Sequence, residues 1–148
     1  QLQGVYLMLN LVKPRIASLF DEVGTAANVR KAMSQPLHRN SAAFVVPVSN
    51  RPMTNSRDVD MGRPLQEFIV TFGVVIGLRA INDPTGERTL AELESLRNTL
   101  RESLFGWKPD DEHERVILGN GDLIGFTNDG LWWIDRFSTN TWYRGNAT

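Results

Sequence analysis

The side chains best equipped for chemistry in this 148-residue chain are two histidines, a cluster of acids, several serines and four tryptophans. His113 lies in Asp110-Asp111-Glu112-His113-Glu114, a run dense enough in ligand atoms to attract a divalent metal. Its order fits neither a His-Glu-x-x-His helix, which sets two imidazoles one turn apart, nor a calcium loop. Acids gathered just after a helix end are also what a solvated loop carries, which is the plainer account. His38 sits in Pro36-Leu37-His38-Arg39-Asn40, with no neighbouring acid in sequence to orient it as a general base. Ser103 and Ser138 fall in helix and strand positions, and the strained Gly-x-Ser-x-Gly turn of a serine nucleophile is missing. The phosphate-cradling glycine loops are missing too. Gly119-Asn120-Gly121 has the opening spacing of one, but no helix follows it, so it reads as a hairpin turn. There are no cysteines, which removes disulfides, thiol nucleophiles and cysteine-ligated zinc together. Nothing in the spacing signals paired carboxylates for glycoside chemistry. The residues point to no enzyme activity, no cofactor and no metal.

Nucleic-acid binding is weakly signalled. Trp107, Trp132, Trp133 and Trp142 could stack on bases, yet basic residues alternate with acids along the chain and the net charge is −1. Trp132 and Trp133 are adjacent in a strand pattern and so point to opposite faces, which predicts that both faces are covered by core or by a neighbour. Thirteen arginines stand against three lysines, a bias that favours protein interfaces and equally follows from a GC-rich gene. A hydrophobic fraction of 41% and a charged fraction of 22% suit a globular chain with its own core, a single domain spanning residues 1–148. No apolar run approaches the roughly 20 residues of a membrane helix. Val5–Val12 lacks the preceding basic residue of a secretory signal.

The elements that must position these residues are legible in part. Leu2, Val5, Leu9, Val12, Ile16 and Leu19 recur at helical spacing, so a helix is expected over about 2–12 with a break near Pro14. Ile16–Val23 reads as a short strand, and Thr25–Met33 as a short helix capped by Thr25 and closed by Gln35-Pro36. Ala42–Val48 reads as a strand in which Pro47 demands an edge or a bulge. Ser49–Pro64 is a polar stretch longer than compact domains tolerate without a purpose. Phe68–Ala80 alternates cleanly and is the clearest strand, long enough to carry residues 49–66 outward as an arm. A helix follows with Leu90, Leu93, Leu96, Leu100 and Leu104 as its stripe, started by Asp83 or by a Thr89/Glu92 capping box and stopped by Gly106. Asn120-Gly121 and Asp129-Gly130 then divide a C-terminal β-meander, whose last strand continues through Thr141-Trp142-Tyr143-Arg144. The fold class is α+β, a mixed or antiparallel sheet packed by the N-terminal and Leu-rich helices.

In this order, Val23-Gly24-Thr25-Ala26-Ala27, Ala42-Ala43-Phe44-Val45-Val46-Pro47, the Phe68-Ile69-Val70 opening, Leu104-Phe105-Gly106-Trp107-Lys108-Pro109, Gly119-Asn120-Gly121-Asp122-Leu123 and Trp132-Trp133-Ile134-Asp135-Arg136-Phe137 resemble the tail terminator proteins of long-tailed bacteriophages, related in architecture to the minor tail protein U of phage lambda. The resemblance covers almost the whole chain and carries no catalytic signature. It implies a virion protein assembled in the host cytoplasm and sited in the tail at its head-proximal end. A homo-hexameric ring would cap the tail tube protein there, stop polymerisation and offer a docking surface to head-completion or connector proteins. Genome DNA would pass through the lumen without specific binding, and a near-neutral charge balance suits passage better than retention. The rivals are another neck or tail component, such as a head-completion protein or tube subunit, and, from a different class, a small enzyme or ligand-binding domain.

The family has no short functional motif, so the expected contact residues come from the chain itself. Arg51, Arg57, Asp58, Asp60 and Arg63 would give the 49–66 arm its polar contacts with a neighbouring subunit or the tube. Trp107, Asp110, Asp111 and Glu112 form a second expected surface.

Overall fold

Apolar alternation from Phe68 onward makes β3 the strand around which the other elements are arranged. The computed structural model describes residues 2–60, 63–80, 83–127 and 129–146, with the side chains of 2–7 and 54–60 outside that description. The described elements run α1 (Leu2–Ile16), β1 (Glu22–Thr25), α2 (Ala26–Met33), β2 (Ser41–Asp60), β3 (Arg63–Arg79), α3 (Glu87–Leu104), β4 (Ile117–Thr127) and β5 (Gly130–Arg144). They build the expected α+β fold. One mixed sheet has the order β1-β2-β3-β5-β4, parallel between β1 and β2 and antiparallel elsewhere.

Alternation on β3 sorts the two sides of the sheet. Val70, Phe72, Val74, Ile76 and Leu78 pack with Met8, Val12 and Ile16 of α1 and Leu93, Leu100 and Leu104 of α3. Phe72 stacks on Phe137 of β5 at 5.5 Å between ring centres. On the other side Val75, Phe44 and Trp132 pack with Leu37 and the half-buried Val29, Ala32 and Met33 of α2. Trp132 and Trp133 therefore do face opposite sides, one in each core. The Trp132 side is light in β3 because its partners are heavy: a Cβ on Gly77 would stand 2.7 Å from the Trp132 ring.

Several local expectations are corrected. Helix α1 runs through Pro14 to Ile16, because a proline in the last turn forfeits one hydrogen bond, to the Asn10 carbonyl, while Val12 and Ile16 gain full burial. The first strand is Glu22–Thr25 and not Ile16–Val23. The Ser49–Pro64 stretch is not a loop: β2 and β3 remain paired to Asp60 and Arg63. Pro47 marks a register shift in β2, and β1 pairs only with Ala42–Val45, so this proline lies where β2 has no described strand outside it. β3 has 17 residues, hence about 56 Å at 3.3 Å per residue, against a diameter of about 38 Å for a compact domain of this size. Asn120-Gly121 is not a turn either. It lies inside β4 at an irregularity between Leu118 and Gly121, so the C-terminal third is a strand pair joined at Asp129-Gly130.

Helix α3 starts at Glu87 after Gly86, which holds φ 76. Leu90 is exposed, whereas Thr89, Leu93, Leu100 and Leu104 are buried, so the inward stripe is narrower than the leucines alone suggest. Asp83 reaches over this first turn and accepts hydrogen bonds from the Thr89 backbone N–H (2.8 Å) and hydroxyl (2.7 Å). These bonds hold the Asp83 carboxyl below its ordinary pKa, the hydroxyl contributing most. A carboxylate whose pKa falls on folding adds stability above its unfolded value and loses it as pH drops through the folded value. Asp83→Asn should therefore unfold at lower urea than the parent at about pH 7, with the difference shrinking as pH falls below the ordinary carboxylate range. Parallel urea midpoints across that range check this.

Candidate assembly surfaces

Backbone pairing places the first group of expected contact residues on the β2–β3 hairpin. Arg57 lies opposite Gln66, Asp58 opposite Leu65, and Asp60 opposite Arg63. Arg51 and Arg63 are exposed, while the side chains of Arg57, Asp58 and Asp60 lie outside the described residues. The register slips between Pro52 and Arg57, and there Gln66 Nε2 donates to the Met53 carbonyl at 2.7 Å. A side chain thus replaces the ladder where the backbone pairing fails.

The second group divides by role. Trp107 is half-buried against the main core, with the Arg15 guanidinium 5.1 Å from its ring centre. Asp110 accepts from the Glu112 backbone N–H at 2.9 Å and lies 2.7 Å from Nδ1 of the buried His113. Both residues fasten the segment after α3, leaving Asp111 and Glu112 exposed. Thr141 and Thr139 hydroxyls donate to the carbonyls of Glu112 (2.7 Å) and Glu114 (2.5 Å). The acidic run is therefore laced to β5, and His113 forms a bridge with Thr141. Among the described residues no group of three His, Cys, Asp or Glu side chains is placed to hold a metal. The two expected groups come to the same end of the sheet, on its two sides: the hairpin along β2, the acids beside β5.

Sequence reasoning missed the surface with the most apolar exposure. β4 is the last strand of the sheet, and Ile117, Leu118, Leu123, Ile124 and Phe126 along it are exposed, Phe126 by 68%. Leu118, Leu123 and Phe126 stand opposite Phe137, Trp133 and Leu131, whereas Ile117 stands opposite Ser138 on the other face. A solvated edge strand normally carries charges or proline, and a row of large apolar groups on it marks a surface that is covered in use. The signal was present in the doublets Ile117-Leu118 and Leu123-Ile124, since adjacent apolar residues serve both faces of a strand. The molecule exposes 9045 Å², roughly 1,400 Å² more than a compact monomer of its mass.

Polar clusters elsewhere are fasteners or open clefts. Asp135 of β5 is 1% exposed and takes Arg97 Nε at 2.9 Å, Arg97 Nη2 at 3.0 Å and Trp133 Nε1 at 3.1 Å. Arg97 also lies 4.5 Å over the Trp133 ring. With its oxygens saturated by these donors, this carboxylate ties α3 to β5 and presents nothing to a substrate. A cleft of about 340 Å³ beside β1 and α2 is lined by Lys13, Glu22, Asn28, Lys31 and His38 among others, with no paired carboxylates. Among the described residues the arrangement offers contact surface and not a converging set of reactive groups.

Comparison with known proteins agrees in kind. A model of the family described as phage tail terminator protein matches residues 5–147. No curated protein matches the chain.

Proposed function

This chain belongs to the phage tail terminator protein family and is a structural protein of phage tails; we propose that it caps the head-proximal end of the tail tube as a hexameric ring. The ring stops tube polymerisation and gives head-completion or connector proteins their docking surface. The observation that carries this reading is the solvent-facing apolar edge β4, a surface suited to permanent burial by protein. A ring needs heterologous contacts, in which one surface of a copy meets a different surface of the next and the rotation closes. A net charge of −1 lets DNA traverse the lumen without the counterion release that would hold it. The mechanism requires no cofactor and no catalytic group. It works by geometry: the face toward the tube copies what a tube subunit offers, and the opposite face does not.

Electron microscopy of particles made without this gene tests the proposal. Overlong, variable tails detached from filled heads are expected. Tails of normal length would overturn the terminator reading, and unjoined heads with such tails would transfer the role to a connector.

The β2–β3 hairpin from 49 to 66 reaches a neighbouring subunit or the tube in this reading. Arg57→Glu or Asp58→Lys should then impair capping while the isolated chain keeps its thermal midpoint. Unaltered tail lengths with either variant would reject the hairpin as a contact.

A further inference from the structure

We propose that neighbouring copies join edge to edge, with β4 of one lying antiparallel against the open edge of β2 in the next. This rests on the reading of the chain as a ring-forming terminator, and it names the occupant of the apolar edge as a second copy of the same chain.

The two edges of the sheet are unlike, as a heterologous contact requires. One edge is β4 with the laced segment before it, so it reads Glu112, His113, Glu114 and then Ile117 to Thr127. The other is β1 beside Ala42–Val45 and, beyond it, β2 from Val46 onward, with no described strand outside. β2 and β5 both run antiparallel to β3, and β4 runs antiparallel to β5. β4 therefore runs antiparallel to β2. Copies related by rotation about an axis along the strands bring these two edges together as an antiparallel pair.

Register lines across the sheet show what meets at each level when the copies have no axial offset, as a flat ring demands. One line runs Ser49, Thr71, Ser138, Ile117. Exposed Val48 thus lies level with exposed Ile117 and Leu118. The next line runs Arg51, Ile69, Asn140, and Glu114 donates its N–H to the Asn140 carbonyl at 2.8 Å. Arg51 on one edge is consequently level with Glu114 on the other, and both are exposed. Apolar meets apolar, and basic meets acidic. The open edge steps outward from β2 to β1 between Val46 and Val45, so Ile117 and Leu118 come level with β2, and β4 from Gly121 onward comes level with β1. Pro47 and Pro52 lack N–H groups, so side-chain matching rather than a full hydrogen-bond ladder selects the partner.

The chain has no cysteine, so a designed pair is the sole source of thiols within it. In antiparallel strands opposite Cα atoms are about 4.5–5.5 Å apart, within the range of about 4.4–6.8 Å that disulfides span. Tails assembled with Ser49→Cys/Ile117→Cys and mildly oxidised should give a ladder of covalent oligomers on non-reducing gels, with neither single variant laddering. Arg51→Glu and Glu114→Arg should each reduce the yield of normal-length tails, and their combination should restore it. Normal-length tails without a ladder from the double cysteine variant overturn edge pairing and leave the terminator reading standing. Dimers from Ile117→Cys alone also overturn it, because β4 would then meet itself. Where the cysteine substitutions block assembly, the charge exchange decides: rescue supports the pairing and failure of rescue rejects it. Failure of the terminator reading itself would show separately, as normal tails without the gene.

Discussion

Asp135→Ala is expected to lower the stability of the isolated chain by about 3–5 kcal/mol, the cost of breaking a buried ion pair from one side. The carboxylate is almost completely enclosed, whereas Arg97 retains a fifth of its side-chain surface at 21%. Truncation leaves that guanidinium and the Trp133 indole N–H without their acceptor, and Arg101, 3.9 Å away, loses its share of the same charge. The effect should read as a fall in the urea midpoint at unchanged slope and a drop in melting temperature of roughly 10 °C or more. A paired apolar exchange, Arg97→Met with Asp135→Leu, should recover much of the loss, because the buried pair itself costs desolvation. If Asp135→Ala cost less than about 1 kcal/mol, the contact would behave as a surface ion pair and the fastening role would fail.

How far the sequence reveals this molecule depends on whether the deciding contact is local. Gly106 ends α3 with φ 79, and Asp129-Gly130 joins β4 to β5, because a few adjacent residues settle both. Strand β5 and the two faces of Trp132 and Trp133 were likewise legible from alternation. The hairpin over residues 49–66 was not. Its polar residues and prolines read as loop, and β3, pairing with β2 on one side and β5 on the other, extends the ladder regardless. Leu90 fits the helical stripe but is 51% exposed, while Thr89 beside it is buried. The apolar edge was the largest omission: Ile117-Leu118 would look the same in a strand buried by its own fold. Charge and turn residues picked out the hairpin and Asp110–Glu112 as surfaces, while tertiary contacts drew Trp107 and Asp110 inward.

At Gly121 the reading from sequence and the structural role differ. A glycine after asparagine signals a left-handed turn, yet Gly121 is in β4 opposite Asp135 and is not among the positive-φ glycines. Its smallness serves clearance instead. A Cβ there would stand 2.4 Å from Asp135 Oδ1 and 2.9 Å from both Arg97 Nη2 and Trp133 Nε1. These atoms are held by one another and have little room to yield. Gly121→Ala should therefore destabilise by about 1–3 kcal/mol, the cost of overpacking a closed site. A turn glycine would behave otherwise: its cost would be conformational and independent of Asp135. The two accounts separate in a double-mutant cycle. In the Asp135→Ala background the methyl enters vacated space, so the added cost of Gly121→Ala should fall to about 0.5 kcal/mol or less. An undiminished cost in that background would return Gly121 to a backbone role and sever β4 from the ion pair that positions it.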